Sequence, residues 1–195
     1  GHAAFFGGAA YIAGHVIKVW GLPTELGLLV GAGSAAILGY FIGMLAIRRQ
    51  GIYFAMITLA LAQMVFFLFT SADFTGGENG LQGVPRGYAL GIIDLQNNVN
   101  MYYFVLAVFV IGFLIIARAV HSPFGQILGA IRDNEDRATS LGYDVDRYKH
   151  LAFVLSAALA GLAGATKTVV FQLASLTDVH WHTSGEVVLM TLLGG

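Results

Sequence analysis

The sequence predicts an all-α protein, a polytopic transmembrane helical bundle. Of its 195 residues, 57% are hydrophobic and only 11% are charged, with a mean hydropathy of +0.75. Soluble domains carry roughly 25% charged residues. Residues 26–47 and 50–72 each contain no charged side chain. At about 1.5 Å of rise per residue, a helix of either length crosses a hydrocarbon core of about 30 Å.

Six hydrophobic segments divide the chain, and each is predicted to form a membrane helix. Polar stretches at residues 73–100 and 118–150 interrupt them. We interpret residues 1–195 as a single transmembrane domain that contains a cytosolic loop at 118–150. Because the chain opens on apolar sequence at Gly1 and breaks off within an apolar run, we expect a fragment truncated at both ends. The segments are 3–19, 26–47, 50–71, 101–117, 151–173 and 184 to the end.

The distribution of Lys and Arg predicts the orientation. Positive side chains collect in the short cytoplasmic loops of membrane proteins. Two of them lie between the second and third segments, and five lie in the loop at 118–150. The loops predicted outside hold five acidic residues and only Arg86, although Lys18 borders the first of them. The cytoplasmic cations are Arg48, Arg49, Arg118, Arg132, Arg137, Arg147 and Lys149.

Small residues recur at helical spacing in the second and fifth segments. In lipid, helices associate through close backbone approach, and strips of small side chains permit it. These positions therefore predict tight packing between helices, and they identify no substrate. The helix-packing residues are Gly27, Gly31, Ala35, Gly39 and Gly43 in the second segment, and Gly161 and Gly164 in the fifth.

The loop at 118–150 contains an amphipathic pattern that predicts one helix, ended by Gly142. Such a helix either lies on the bilayer surface or docks into a groove on a partner protein. Surface helices favour a polar face rich in Lys and Arg. Here Asp133, Glu135 and Asp136 oppose Arg132 and Arg137, which favours docking. The apolar positions are Phe124, Ile127, Leu128, Ile131, Ala138 and Leu141.

Residues 75–85 form a glycine-rich exterior loop, with Gly76, Gly77, Asn79 and Gly80 as candidates for an outer gate. The same loop could receive a donor protein or be a plain exposed turn.

Few polar residues lie within the spans. Thr58, Gln63 and Glu186 are the candidates for a translocation path, although Glu186 could equally sit near the membrane surface.

Several functional classes find no support in the residues. The net charge of −1 gives no nucleic-acid surface, and without cysteine there is no thiolate metal site. No pattern indicates a metal site or a hydrolytic triad. Residues 164–168 are similar to a phosphate loop, but no glycine directly precedes Lys167 and the segment is a predicted span. We therefore expect no cofactor, no ATP site and no enzymatic activity in this chain.

An ordered set of motifs over nearly the whole chain resembles the branched-chain amino-acid permeases of the ABC importer type, and among them the M subunit rather than its H-type companion. The set comprises residues 1–7, 49–60, 75–77 with 79–81, Ser122-Pro123-Phe124-Gly125, Ala130-Ile131-Arg132-Asp133-Asn134-Glu135, Leu141-Gly142, Arg147-Tyr148-Lys149, residues 152–157 and 161–164, and the ending 190–195.

The resemblance implies a five-part machine in a bacterial inner membrane. An H-type permease would pair with this chain, two ATPase subunits would lie below, and a periplasmic binding protein would deliver the substrate. The loop at 118–150 would carry the coupling helix that docks on the ATPase. The importer loop motif is degenerate here, because residues 136–142 keep an Ala and the Gly but lack the Glu-Ala-Ala start.

Three alternatives to branched-chain amino-acid import stay open. Substrates within the family extend to urea, short amides and other amino acids. An ion-coupled secondary transporter would need intramembrane acids, for which only Glu186 is a candidate. A membrane-embedded enzyme would need a convergent set of reactive side chains, which the sequence does not offer.

Overall fold

The computed structural model describes residues 2–71, 81–85, 88–89, 93–174 and 181–194. The predicted helical bundle is confirmed, because each of the six hydrophobic segments coincides with a helix. The described helices are α1 (His2–Val19), α2 (Thr24–Ala46), α3 (Ile52–Ser71), α4 (Asn98–Val120), α5 (Pro123–Asp133), α6 (Glu135–Ser140), α7 (Val145–Phe171) and α8 (Trp181–Gly194).

Among the described residues, three helices are long and apolar enough to cross a membrane, judged by length and composition. They are α2 and α4, with 23 residues each, and α7, with 27. The stretch Ile52–Leu68 of α3 is a shorter apolar helix. These lengths match the roughly 20 residues that a span requires.

Helices α1, α2 and α7 pack into a tight group, which we call the central trio. Helix α1 runs parallel to α7: His2 Nε2 lies 2.6 Å from Ser156 Oγ, and the buried Thr168 hydroxyl lies 3.2 Å from the Ala10 carbonyl oxygen. Helix α2 runs antiparallel to both, since Gly31 lies opposite Ala165 while Gly39 lies opposite Ala157.

The small-residue strip of α2 faces the other two helices of the trio. All five of its members are buried. A Cβ atom placed on Gly39 would lie 2.5 Å from the Cβ of Ala157, and one placed on Gly31 would lie 3.0 Å from that of Ala165. In α7, a Cβ on Gly164 would collide with the Phe6 carbonyl. At Gly39 and Gly164 the helices therefore approach closer than a residue with a Cβ allows without a shift, and at Gly31 the fit would be tight.

Helix α4 lies at the periphery of the bundle. Among its residues, all of which are described, only Met101 is buried. Its start is fixed by Asn97, whose side-chain oxygen accepts a hydrogen bond from the Val99 N–H at 3.0 Å. Most of its exposed side chains are apolar, as expected for a helix exposed to lipid.

Short strands add to the predicted all-α architecture. Strand β1 (Leu81–Gln82) pairs antiparallel with β4 (Leu173–Ala174), and β2 (Tyr88–Ala89) pairs antiparallel with β3 (Ile93–Asp94). The Val84 N–H donates to the Gln172 carbonyl at 3.2 Å, and the Val84 side chain is fully buried. Pairing satisfies loop backbone groups that would otherwise lack partners at the end of the bundle.

The two ends of the trio carry different connections. Residues 81–85 meet β4, just past the end of α7, whereas the turn between α2 and α3 meets α6 through a hydrogen bond from Gln50 to Glu135. We call these the outer and inner ends, after the predicted orientation. All the predicted cytoplasmic cations belong to segments at the inner end, in agreement with strict alternation of the spans. Which end faces the cytoplasm stays a prediction.

Candidate functional site

The segment between α4 and α7 at the inner end begins with a sharp turn at Ser122. The Ser122 hydroxyl donates to the Ala119 carbonyl at 2.6 Å, and its oxygen accepts from the Gly125 N–H at 3.4 Å. Pro123 then occupies the first turn of α5, where its missing N–H costs nothing. These local bonds end the membrane helix and start a new one.

Asn134 divides the segment into two helices, so the prediction of one continuous helix is wrong. Its backbone is extended, with φ −159° and ψ 101°. Its N–H donates to the Ala130 carbonyl at 3.0 Å, and its side-chain oxygen accepts from the Arg137 N–H at 3.0 Å. Asn134 thus ends α5 and caps α6. The sequence signal was present, because Asn followed by Glu135 and Asp136 is typical of a helix start.

Three side chains from this segment and from α7 form a buried cluster that we call the inner cluster. Ile131 is 7% exposed, Ala138 2% and Val145 6%, and Ile127 and Tyr148 pack against them. Ile131 and Ala138, two of the residues predicted to contact an ATPase, are therefore buried within the chain, and their role in coupling stays a prediction. Both pack within the chain, because the break at Asn134 folds α6 back so that its small apolar side meets α5 and α7.

The remaining apolar side of α5 also points toward the chain. The Phe124 ring lies 5.8 Å from that of Tyr148, measured between ring centres. Leu128 lines a cavity of about 550 Å³ together with residues of α4 and α7, among them Ile116 and Leu159. The apolar face of an amphipathic helix must be covered, and α4 and α7 cover most of the apolar face of α5.

The turn that follows α6 is the apolar part of the segment that stays exposed. Leu141 is 69% exposed and Tyr143 41%. Gly142 between them has φ +93°, a conformation that residues with a Cβ rarely adopt, as predicted for the residue that ends the helix. The flanking Asp136 and Arg137 are exposed as well. We call residues 141–143 the exposed turn, and Asp136 and Arg137 border it.

Glu135, the first residue of α6, joins three parts of the inner end. Its Oε1 atom lies 2.7 Å from Lys149 Nζ of α7 and accepts a hydrogen bond from Gln50 Nε2 at 2.9 Å. The side chains of Glu135 and Lys149 are only 32% and 21% exposed. The group borders a cavity of about 330 Å³ that Arg49 and Phe54 also line. Sequence reasoning missed this group, since Gln50 and Glu135 lie 85 positions apart.

No described contact joins the three candidates for a translocation path. Thr58 is 7% exposed, and its hydroxyl donates to the Ala55 carbonyl of its own helix at 2.9 Å. Gln63 is half-buried five positions further on, about 140° around the axis of α3. Glu186 is exposed on α8. Their predicted role stays a prediction, and the gate candidates at 76, 77, 79 and 80 lie outside the described residues.

Comparisons with known proteins agree with this architecture. A family model described as branched-chain amino acid transport system / permease component matches residues 1–195. The chain is 27% identical over 218 aligned residues to the high-affinity branched-chain amino acid transport system permease protein LivM of Escherichia coli K12, and equally to that of Salmonella typhimurium LT2. Each alignment covers 100% of the chain and 51% of the relative. No solved structure matches the chain.

The chain spans about half the length of these curated relatives. The family match, in contrast, covers every residue of it. The apolar helices described above agree with that match, and the resemblance to the M-type subunit is confirmed. The chain therefore belongs to the family of branched-chain amino acid transport permeases, as a membrane protein built from a helical bundle.

Proposed function

We propose that this chain is the membrane-spanning part of a permease subunit in an ATP-driven importer of branched-chain amino acids. The family match over all 195 residues carries the proposal. Two relatives whose names give the same transport system align with the whole chain and support it. The protein would lie in a bacterial inner membrane as a multi-pass subunit and would not be an enzyme itself.

In this proposal the loop at 118–150 transmits ATP hydrolysis from an ATPase partner. The exposed turn is the surface that we assign to docking. Leu141 offers an apolar anchor and Asp136 and Arg137 a charged rim, and protein interfaces commonly combine an apolar centre with a polar rim. Ile131 and Ala138 act instead inside the chain, where they hold α5, α6 and the start of α7 together.

The remaining parts of the machine follow from the same proposal. A companion H-type permease would complete the path across the membrane, and two ATPase subunits would bind at the inner end. A periplasmic binding protein would approach the outer end. Alternating access would move the central trio as one body, because its close packing leaves little room for sliding within it.

Uptake of labelled amino acids by the full-length protein, reconstituted with its ATPase and binding-protein partners, tests the function. We expect leucine, isoleucine or valine to accumulate only with ATP and the binding protein. Competition by urea or short amides without competition by these amino acids would move the protein to another substrate class. Uptake driven by an ion gradient without ATP would refute the proposal.

The docking surface has a test of its own. Leu141→Asp places a charge where an apolar anchor is expected, and such anchors contribute about 2 kcal/mol or more, or roughly 30-fold in affinity. We expect the variant to insert normally but to lose the co-purifying ATPase. Ala130→Asp, at an exposed position of α5, is the matched control. If Ala130→Asp loses the ATPase while Leu141→Asp keeps it, docking occurs through α5 and not through the exposed turn.

A further inference from the structure

We infer that Glu135 is the positioning residue that transmits movement of the exposed turn to both α3 and the central trio. The inference deepens the proposed coupling function and rests on it. Glu135 lies at the one described point where the α5–α6 segment, the turn before α3 and the start of α7 share a polar contact. Its two partners reach the same carboxylate oxygen, so displacing that oxygen disturbs both contacts together.

The short length of α6 places Glu135 close to the docking surface. The helix has six residues and ends at Ser140, so about 9 Å along the helix axis separates Glu135 from Leu141. Asn134 before it is extended and breaks the helical hydrogen bonding to α5. A force on the exposed turn therefore reaches Glu135 through one short helix, and rotation of α6 about its own axis would turn the Glu135 carboxylate away from its two partners.

The contact with Lys149 continues directly into the central trio. His150 follows Lys149 in α7, and its Nε2 atom lies 2.8 Å from the Tyr40 carbonyl oxygen of α2. The His150 ring also fills the space above Gly43, where a Cβ atom would lie 2.7 Å from it. Movement of Lys149 would thus displace a side chain wedged between α7 and α2.

The contact between Glu135 and Gln50 connects the α5–α6 segment to α3. Gln50 belongs to the turn that precedes Ile52, where α3 begins. Helix α3 is less buried than the trio, with exposed side chains along most of its length. Pulling on Gln50 would therefore shift the start of α3 relative to the trio, which is the kind of rigid-body displacement that opens or closes a path between helices.

If the ion pair between Glu135 and Lys149 only stabilised the fold, a different result would be expected. Partly buried ion pairs can stabilise a fold, and their loss would then lower the amount of folded protein. A positioning role instead changes how much transport accompanies each ATP hydrolysed, with the amount of complex held equal. Spatial connection alone does not establish energetic coupling, so the ratio of transport to hydrolysis is the decisive quantity.

The experiment uses the full-length protein in the assembled complex, reconstituted in vesicles, with labelled leucine transported per ATP hydrolysed as the readout. Glu135→Gln removes the negative charge that pairs with Lys149 but keeps the size of the side chain, so we expect the α5–α6 segment to fold normally. We expect this variant to retain its ATPase and to hydrolyse ATP, while transport per ATP falls by about fivefold or more, the lower end of usual coupling between linked sites. Exchanging the charges, with Glu135→Lys and Lys149→Glu together, should recover part of the ratio.

Asp133→Asn is the matched control, because it removes a carboxylate from the same segment. Asp133 pairs only loosely with Arg132, at 3.5 Å, and its side chain is 74% exposed. We expect its transport per ATP to equal that of the unmodified protein. Gln50→Ala removes the link to α3 alone, and its exposed position makes misfolding of no concern. We expect it to lower the ratio as well, by less than Glu135→Gln.

The outcomes separate failure of this inference from failure of the proposed function. If the unmodified complex shows no ATP-driven uptake, the proposed function fails and this inference with it. If that complex is active and Glu135→Gln matches Asp133→Asn, the inference alone is overturned. The inference is also overturned if Glu135→Gln lowers only the yield of complex. It is overturned as well if the charge exchange gives the same transport per ATP as Glu135→Gln while Gln50→Ala gives the same transport per ATP as the unmodified protein.

Discussion

Replacing Gly39 by Ala is the smallest change that tests the packing of the central trio. The new Cβ atom would lie 2.5 Å from the Cβ of Ala157. Non-bonded carbon atoms prefer about 3.5–4.0 Å, so α2 and α7 would have to separate by about 1 Å at this point. Both atoms are fixed to helical backbones, so neither can rotate out of the way.

Gly33→Ala in the same helix provides the matched control. A Cβ atom at Gly33 meets nothing within 4 Å, and the residue is exposed. Both substitutions gain the same helix propensity, up to about 1 kcal/mol, so the propensity cancels in the comparison. What remains is the cost of overpacking at Gly39, which is typically about 1–3 kcal/mol.

Thermal unfolding of the two variants in detergent, followed by the loss of the monodisperse species, measures this difference. For a domain of 150–250 residues, 1 kcal/mol corresponds to about 2–4 °C. We expect Gly39→Ala to unfold at least about 2 °C below Gly33→Ala on that scale. Equal unfolding temperatures would refute the reasoning, because they would show that α2 and α7 tolerate separation without loss of stability.

Two further predictions concern the orientation of the chain and the inner cluster. Cysteines introduced at Pro85 and at Ser140 should react with an impermeant reagent from opposite sides of the membrane, with Ser140 cytoplasmic, and labelling from one side would contradict the predicted orientation. Ile131→Asp should expose the α5–α6 segment to protease, because it buries an unpaired charge in the inner cluster at a cost of several kcal/mol. Thr139→Asp, at an exposed position of α6, should leave protease resistance unchanged, and equal sensitivity of the two variants would argue against the inner cluster.

The membrane helices could be predicted from the sequence because their signal is local. A charge-free run of the right length has few structures open to it in lipid, so α2 and α3 follow from composition alone. The small-residue strip of α2 was equally visible, since residues four apart share a helix face. What the strip could not indicate is its partner. The contact of Gly39 with Ala157 joins positions 118 residues apart, and nothing near either position predicts it.

The segment between α4 and α7 shows which structural features cannot be predicted from local sequence patterns. The spacing of the apolar positions from Phe124 to Leu141 predicts a contact face, but it does not distinguish packing against the chain's own helices from packing against a partner. The prediction of one helix that continues through Asn134 places Ile131, Ala138 and Leu141 on the same face. The break at Asn134 instead turns Ile131 and Ala138 inward and leaves Leu141 outside. A single capping residue thus decides which side chains a partner can reach.

The uneven packing of the bundle bears on how the segment could act on the membrane helices. The central trio is held by close backbone contacts at Gly31, Gly39 and Gly161, whereas α4 buries only Met101. A connection that pulled on α4 would move a helix with few neighbours and leave the trio in place. Lys149 belongs to the trio, so a contact through Glu135 acts on three helices that must move together. Because α4 joins the segment at the sharp turn of Ser122, it can change its angle at this turn and follow the movement of the trio rather than cause it.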